Sequence, residues 1–137
     1  MADLFSPAKR SLIMAAIRSA DTGPEIAVRK IVHRLGFRYR LHVRSLPGSP
    51  DLVFPSRRKV VFVHGCFWHR HPKCARATIP KTHAEFWRTK FASNVTRDHS
   101  ALRGLKRMNW APLTIWECEL KKPERLMKRL SRFLSGE

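Results

Sequence analysis

The sequence predicts an α/β fold in which helices flank a mixed β-sheet. Three observations predict it. Apolar residues recur at helical spacing near both ends of the chain, a continuous β-rich run occupies Val60–Val63, and a further strand pattern at Pro112–Trp116 follows a helical segment. The 137 residues are expected to form one domain, residues 1–137, because a chain of this length buries a core without disulfide bonds.

Two helices are predicted ahead of the first strand. The first covers Pro7–Ser19, because Ser6 is a suitable N-cap and Pro7 suits the first helical position. The second begins near Pro24 and ends at Gly36, since glycine is favoured directly after a helix C-terminus.

Three strands are predicted in the following segment. Tyr39–Val43 alternates in polarity like a half-buried strand, and Asp51–Phe54 is a short strand after the turn-forming run Leu46–Pro50. Ser56–Lys59 has the composition of a hairpin-like turn. Val60–Val63 is apolar throughout, which is typical of a central strand covered on both faces.

The second half of the chain begins with a segment that has no clean periodicity, residues 64–82. It holds most of the Cys and His residues, so we expect a metal-bearing loop. The elements predicted after it are helices at 84–97 and 100–108, the strand Pro112–Trp116, and a basic amphipathic helix at 123–134 within the C-terminal segment 121–137.

The composition points to a polyanionic partner. With 28 Lys and Arg against 10 Asp and Glu, the formal net charge is +18, and these charges lie within apolar periodic segments rather than in a tail. Nucleic acid is the obvious partner, although ribosomal-type proteins and binders of anionic membranes share such a charge. No apolar run long enough to span a membrane and no signal-peptide pattern occurs, and three cysteines are too few for a secreted disulfide scaffold. We therefore expect a reducing, cytoplasmic setting.

A cluster of zinc-type ligands lies in the loop. Cys66, His69, His71 and Cys74 fall within nine residues, and Cys118 follows the last predicted strand. Zinc prefers tetrahedral N and S ligands, so three cysteines with one histidine would form a closed structural site. Spacing leaves the choice of histidine open, and the histidine that is not used would be free for chemistry. The alternative is that the cysteines are buried hydrophobes and the histidines face DNA.

Two carboxylates are candidates for catalysis. Asp51 opens a strand that pairs with the apolar strand, which is where an enzyme that cleaves phosphodiesters would hold a divalent cation such as magnesium. Glu25 lies in the first turn of the second predicted helix. Each also has a structural explanation, since Asp commonly begins strands and Glu interacts favourably with a helix N-terminus.

A series of motifs extends collinearly from about residue 8 to 120. The motifs are Met14, Asp21-Thr22, Glu25, Ser45-Leu46-Pro47-Gly48-Ser49-Pro50-Asp51, Val63-His64-Gly65-Cys66-Phe67-Trp68-His69, Glu85-Phe86-Trp87, Lys90, Asn94-Val95, Arg97-Asp98 and Trp116-Glu117-Cys118. The run from His64 to His69 is highly specific. With these motifs the sequence resembles the very short patch repair (Vsr) endonuclease family.

The resemblance implies a restriction-endonuclease-like core with a structural zinc site. It also implies an enzyme that nicks double-stranded DNA 5′ to the thymine of a T·G mispair, the product of 5-methylcytosine deamination. Asp51 and the backbone carbonyl of Val63 would hold magnesium, and His69 would act as general base. Glu25 and His64 would support water, metal or phosphate.

The resemblance assigns the remaining candidates as well. Zinc would take Cys66, His71, Cys74 and Cys118. Phe67, Trp68, Trp87 and Met14 would intercalate into DNA, Met14 from a DNA-contacting helix within residues 1–20, and Lys90 and Asn94 would read the edges of the mispair. Two departures are visible: Val63 stands where relatives often have Thr, and Pro72-Lys73 lengthens the segment between two zinc ligands.

Two other functions remain open from the sequence. The chain could be a restriction-type endonuclease that acts on matched DNA, or a non-catalytic, zinc-stabilised DNA-binding module. For the mismatch nuclease the resemblance implies a monomer in the bacterial cytoplasm, associated with the nucleoid. It further implies a functional link to a DNA cytosine methyltransferase and to mismatch-repair proteins.

Overall fold

A three-stranded sheet forms the centre of the computed structural model, which describes residues 22–136. Its strands are β1 (Leu52–Phe54), β2 (Lys59–His64) and β3 (Ala111–Trp116), in the spatial order β1-β2-β3. β1 runs antiparallel to β2, and β2 runs parallel to β3, so the sheet is mixed, as the sequence predicts. The prediction of an α/β fold with a central apolar strand is confirmed.

Helices cover both faces of this sheet. Helix α1 (Gly23–Arg34) and helix α3 (Pro123–Ser135) pack on one face, where the largest core cluster lies. Helix α2 (Ala84–Arg107) covers the other face and buries Leu105 against Phe62 and its neighbours. The fully buried side chains of α3 recur every four residues, which turns its charged side toward solvent: Leu126, Leu130 and Leu134.

Local sequence signals explain the ends of α1. Thr22 is the N-cap, and its hydroxyl accepts a hydrogen bond from the backbone N–H of Glu25 at 3.4 Å. Pro24 lies in the first turn, and Gly36 follows the helix with φ +90°, a conformation that favours glycine. The predicted second helix is therefore confirmed, and its first turn directs Glu25 toward the sheet end described below.

Two predicted elements differ in the structure. Tyr39–Val43 is not a strand: only Arg40 pairs, exchanging two backbone hydrogen bonds with Val53, and the left-handed φ of 57° at His42 ends the extended run. The two helices predicted at 84–97 and 100–108 are one continuous helix, α2. No Gly or Pro lies between them, and burial of Ala101 carries the helix through the predicted gap.

The turn before β1 packs tightly against α2. Gly48 has φ +75°, and a Cβ at this position would lie 2.7 Å from the Cβ of Ala101. Gly104 on α2 is similarly close, since its Cβ would lie 3.1 Å from Pro47. These two glycines let the turn and the helix approach each other, which places Asp51 at the start of β1.

Three consecutive cations in the turn between β1 and β2 stabilise helix C-termini. Arg58 donates to the carbonyls of Asn109 and Met108 at the end of α2, at 3.3 and 2.5 Å. Arg57 donates to Leu134 O at 2.8 Å, and Lys59 donates to the carbonyl of Phe133. Positive groups are favourable at the partial negative charge of a helix C-terminus, so this part of the net charge stabilises the fold.

The helix predicted at Pro7–Ser19, and Met14 within it, lie outside the described residues. Residues 65–83 contain turns and irregular structure only, as predicted for the loop. Two short 3-10 helices complete the fold, at Pro55–Arg57 and Glu117–Lys121. Within residues 22–136, no helix is both long and apolar enough to cross a membrane.

Candidate active site and metal site

A cavity of about 990 Å³ opens where β2 ends. Its walls come from the first turn of α1, the turn before β1, the loop after β2 and one side of α2. The polar and charged side chains that line it include most of the catalytic candidates: Glu25, Asp51, His64, His69, Asn94, Arg97, Asp98 and Glu117.

Asp51 is held at the sheet end by a backbone hydrogen bond. The N–H of Val63 donates to its Oδ2 at 2.6 Å. Burial raises the pKa of Asp51 to about 7, and the negative charge and hydrogen bond of Glu25 add to this rise against the opposing effect of the Val63 N–H. A buried carboxyl group beside a second carboxylate forms a site that also favours a bound cation.

The N–H and the carbonyl of one residue in an extended strand project toward the same edge. The carbonyl of Val63 therefore faces the Asp51 side of β2. Pro50, which precedes Asp51, carries no N–H that could donate to this carbonyl. The oxygen donors on this side of the strand fit a divalent cation such as magnesium.

His69 and Asp98 form a hydrogen-bonded pair. His69 Nδ1 lies 2.7 Å from Asp98 Oδ2, and both side chains are partly buried. Because a carboxylate accepts but does not donate, Nδ1 carries the proton in neutral His69. The free Nε2 is then the basic nitrogen, which can accept a proton from water.

His64 lies directly against His69. The two imidazole rings are stacked, with centroids 3.8 Å apart and planes 7° apart. Burial lowers the pKa of His64 to about 4, and the neighbouring His69 contributes to the lowering. His64 is therefore neutral at neutral pH.

The four zinc candidates meet in space. The ligand atoms of Cys66, His71, Cys74 and Cys118 lie within 4.8 Å of one another, although Cys118 is 44 positions beyond Cys74. His71 Nδ1 lies 3.6 Å from Cys66 Sγ and 3.5 Å from Cys118 Sγ. The donors form a group of three thiols and one imidazole that could hold a metal ion.

The electrostatics of this group fit a metal that binds thiolates. Burial raises the pKa of the Cys66 thiol to about 12. A hydrogen bond from the backbone of Cys118 opposes this rise, whereas the side chains of Cys118 and Cys74 add to it, so a divalent cation would be needed to keep this sulfur ionised. The pKa of Cys74 is lowered, chiefly by the backbone N–H of Arg76. His71 stacks on Trp116 with centroids 4.3 Å apart, which orients the imidazole toward the thiols.

The aromatic candidates form one cluster beside the cavity. Phe67 and Trp68 contact each other at a centroid distance of 5.0 Å, and both contact Phe91 and Trp87 of α2. Phe67 and Trp68 are partly exposed, whereas Trp87 is only 7% exposed. Trp87, which is buried on α2, thus packs against the aromatic pair Phe67 and Trp68. Phe86, which belongs to a family motif but has no role assigned in the sequence analysis, is 53% exposed.

Arg70 holds the loop that carries this aromatic pair. Its guanidinium donates to the carbonyls of Phe67, Ala77 and Thr78 at 3.1, 2.7 and 2.8 Å, and it lies 4.0 Å from the ring centroid of Phe91. This arginine links the two arms of the loop to α2. The signal in the sequence that could have revealed it is a cation directly between two candidate ligand histidines.

Lys90 and Asn94 lie one turn apart on α2, as predicted. The side-chain amide of Asn94 donates to the carbonyl of Trp68 at 3.1 Å, so it supports the aromatic pair directly. Lys90 is half-buried. Three charged cavity residues were not assigned a site role from the sequence: Arg97, Asp98 and Glu117. Glu117 accepts a hydrogen bond from the N–H of Cys66 at 3.1 Å.

Comparisons with known proteins identify the family. The sequence model described as DNA mismatch endonuclease Vsr matches residues 2–76. The chain is 44% identical over 134 residues to the type II nicking enzyme V.XorIIP of Xanthomonas oryzae, covering 98% of both chains. It is 40% identical to the type II nicking enzyme V.NmeAIP of Neisseria meningitidis, covering 98% of this chain and 95% of the other.

A further relative carries the family name itself. The chain is 39% identical to the DNA mismatch endonuclease Vsr of Escherichia coli, covering 100% of this chain and 90% of that protein. The family is restriction-endonuclease-like in fold, which agrees with the mixed sheet and flanking helices. The chain therefore belongs to the DNA mismatch endonuclease Vsr family and is a DNA endonuclease of that family, with DNA as its partner.

Proposed function

We propose that this endonuclease nicks one strand of double-stranded DNA 5′ to the thymine of a T·G mispair, and that it requires magnesium. The observation that supports this proposal is the convergence of the carboxylates Asp51 and Glu25 with the His69–Asp98 pair on one cavity. Beside that cavity lies the partly exposed aromatic pair Phe67 and Trp68. Such an arrangement suits hydrolysis of a phosphodiester next to a distorted base step.

His69 acts in this proposal as the general base. Its Nε2 removes a proton from the attacking water, and Asp98 holds the imidazole in the required tautomer and stabilises the charge that the ring acquires. His64 remains neutral because its pKa is lowered to about 4 by burial, so it hydrogen-bonds to phosphate or water without competing for the proton. Glu25 orients water beside Asp51.

Asp51 and the carbonyl of Val63 would hold the magnesium ion. When bound, the ion would stabilise the negative charge that develops on the phosphate. Asp51 contributes an ionised oxygen, positioned by its hydrogen bond from the Val63 N–H at 2.6 Å. The protein group that limits binding at low pH is Asp51 itself, since its pKa is raised to about 7 by burial.

Cys66, His71, Cys74 and Cys118 would hold a structural zinc ion. The order along the chain supports this role, because Cys66 and His71 flank His69 at short distance. A loop fixed by zinc keeps His69 against His64 and Asp98. The zinc ion would therefore position the catalytic residues and would take no part in the hydrolysis itself.

Phe67 and Trp68 intercalate at the mispair in this proposal. Trp87, which the family resemblance also assigns to intercalation, is only 7% exposed, so we propose that it supports this pair from α2 instead. A T·G wobble pair stacks less well than a matched pair, so unstacking is least costly there. Met14 joins them from the helix that the sequence predicts within residues 1–20, while Lys90 and Asn94 contribute to recognition of the mispair. Asn94 does so in part by holding the carbonyl of Trp68.

The biological context follows from this substrate. We propose a single-domain monomer, residues 1–137, that acts on nucleoid DNA in the bacterial cytoplasm, alongside a DNA cytosine methyltransferase and mismatch-repair proteins. Deamination of the methylated base would generate the mispair at which the enzyme nicks the DNA. The C-terminal segment 121–137 carries basic side chains on the outer side of α3, which suit contacts with phosphates.

Strand-specific cleavage of labelled duplexes tests the proposal. Each duplex carries one T·G mispair in randomised flanks, with matched A·T and G·C duplexes as controls and His69→Ala as the inactive control protein. We expect a magnesium-dependent nick only in the thymine strand, 5′ to the mispair. Cleavage of both strands of matched duplexes would instead support a restriction-type enzyme, and binding of the mispair without a nick would support a DNA-binding module.

A further inference from the structure

The cavity is acidic for a site that binds a polyanion. Four carboxylates line it, from Glu25, Asp51, Asp98 and Glu117, whereas Arg97 is the only Lys or Arg among the described residues of its wall. The part of β2 that lines the cavity, Phe62–His64, contributes no permanent cation. A DNA phosphate that enters this space therefore meets one fixed positive side chain belonging to residues 22–136.

Arg97 lies on the side of α2 that faces the cavity. Asn94, Arg97, Asp98 and Ala101 stand at positions i, i+3, i+4 and i+7 of this helix and all line the wall. Asp98, the hydrogen-bond partner of the proposed general base His69, directly follows Arg97 in the same helical turn. The helix therefore fixes Arg97 relative to Asp98, and the 2.7 Å contact with Asp98 holds His69, which lies on the loop after β2, beside that turn.

The guanidinium is available for a ligand. Arg97 is exposed, forms no ion pair with any residue in 22–136, and donates one long hydrogen bond of 3.4 Å to Asn94 Oδ1. By contrast, Arg70 is fully engaged by three carbonyls, and Arg129 by the carboxylate of Glu119. A planar guanidinium binds two oxygens of one phosphate well.

We propose that Arg97 binds the scissile phosphate and stabilises the negative charge that it gains in the transition state. In the reaction, the water oxygen forms a bond to phosphorus and gives its proton to His69. The bond from phosphorus to the leaving sugar oxygen breaks, its electron pair stays on that oxygen, and solvent water protonates it. The non-bridging oxygens become more negative as the new bond forms, and Arg97 donates to them at that stage.

Arg97→Gln and Arg97→Lys test this role in the full-length enzyme loaded with metal. The assay is single-turnover nicking of a T·G duplex, with binding measured separately. We expect Arg97→Gln to slow nicking by about 10²–10³-fold while binding weakens only a few-fold, because the loss of one preorganised donor acts mainly on the transition state. Arg97→Lys should recover part of the rate, since it restores the charge without the bidentate geometry.

Arg103→Gln is the matched control, because it removes the same charge from an exposed position of α2 that does not line the cavity. It should nick at the wild-type rate. A second readout uses a duplex with a neutral methylphosphonate at the scissile position. Wild type and Arg97→Gln should bind the methylphosphonate duplex equally. A general folding defect in Arg97→Gln would instead weaken its binding to the methylphosphonate duplex and to the unmodified T·G duplex by the same factor.

The inference rests on the proposed cleavage site, and its failure can be told apart from that of the proposed function. If wild type nicks the T·G duplex and Arg97→Gln nicks it equally fast, the role of Arg97 is overturned while the function stands. If wild type nicks neither mispaired nor matched duplexes, both are overturned. An equal loss of nicking rate in Arg97→Gln and Arg103→Gln would likewise overturn the role of Arg97, because the loss would then reflect the lower net charge of the protein.

Discussion

The imidazole of His69 and the carboxylate of Asp98 are joined by a 2.7 Å contact between residues 29 positions apart. This contact links the loop after β2 to the middle of α2. It also decides which nitrogen of His69 is basic, because an ionised carboxylate can accept a hydrogen bond but cannot donate one, so Nδ1 must carry the proton. The chemistry of the site therefore depends on how the loop is held against the helix.

Asp98→Asn is expected to slow cleavage by about 10²–10⁴-fold, because an amide can donate to Nδ1 and so favour the wrong tautomer. Thermal unfolding should change little, since both side chains are partly exposed. Single-turnover nicking of a T·G duplex measures the effect, and the double variant with His69→Ala should be no slower than His69→Ala alone. A wild-type rate for Asp98→Asn would remove this residue from the mechanism.

Asp51→Asn is expected to abolish nicking and yet stabilise the protein at alkaline pH without added magnesium. The pKa of Asp51 is raised by burial from 3.8 to about 7, so its contribution to stability is full below pH 3.8 and is lost as pH rises through 7. Asparagine is never ionised, and its side-chain oxygen can still accept from the Val63 N–H. We expect a gain on the order of 1 kcal/mol at pH 8 and none near pH 4.

Thermal or denaturant unfolding at both pH values measures this difference. Glu124→Gln is the control, since it removes an exposed carboxylate of α3 that does not line the cavity. The same titration predicts that magnesium-dependent nicking by wild type increases as pH rises toward and through about 7, because the metal needs the ionised carboxylate. A variant that is equally or less stable than wild type at pH 8 would contradict the assignment.

Cys118→Ser is expected to lower the bound zinc and to destabilise the loop that carries His69. Its sulfur lies 3.5 Å from His71 Nδ1. Of the four residues in this group, Cys118 alone follows β3 in the chain, so it ties the loop to the end of that strand. Metal content by atomic spectroscopy and unfolding with and without added zinc give the answer. Zinc added back should stabilise chelator-treated wild type but not the variant. One bound zinc per chain in Cys118→Ser, with unchanged stability, would show that the ligand set is different.

Arg58→Gln is expected to lower the free energy of unfolding by about 1 kcal/mol without changing the affinity for DNA. Arg58 donates to two carbonyls at the C-terminus of α2 and lies 4.9 Å from the ring centroid of Trp110, so it acts as a helix cap. Arg38→Gln removes an exposed charge without this role and should leave stability unchanged. A flatter salt dependence of DNA binding in Arg58→Gln would instead indicate a phosphate contact.

Gly48→Ala is expected to destabilise the protein by about 2 kcal/mol and to reduce nicking. Its φ of +75° strains any side chain, and a Cβ would lie 2.7 Å from that of Ala101. The turn would have to move away from α2, and Asp51 would move with it. Gly23→Ala is the matched control, since a Cβ there meets nothing within 4 Å. Equal stability of the two variants would contradict this account of the turn.

Local patterns in the sequence were enough for most of the fold. Turn chemistry and apolar runs located β1, β2 and β3, and capping residues located the ends of α1. The prediction of a strand at Tyr39–Val43 was wrong, because alternation of polar and apolar residues does not show whether a partner strand is present. The gap predicted within α2 failed because burial of Ala101 outweighs the local polarity of the preceding residues.

For the site, the sequence by itself determined which residue types and spacings are present, and the specific run from His64 to His69 pointed to the family that the comparisons show. Only the tertiary structure shows that Cys118 lies beside the loop, that His69 pairs with Asp98, and that Trp87 packs against Trp68. It also separated the cations that cap helices from Arg97 in the cavity. The physical reason is range: periodicity and capping act over a few residues, whereas these contacts exist only once α2 and the loop pack against the same sheet.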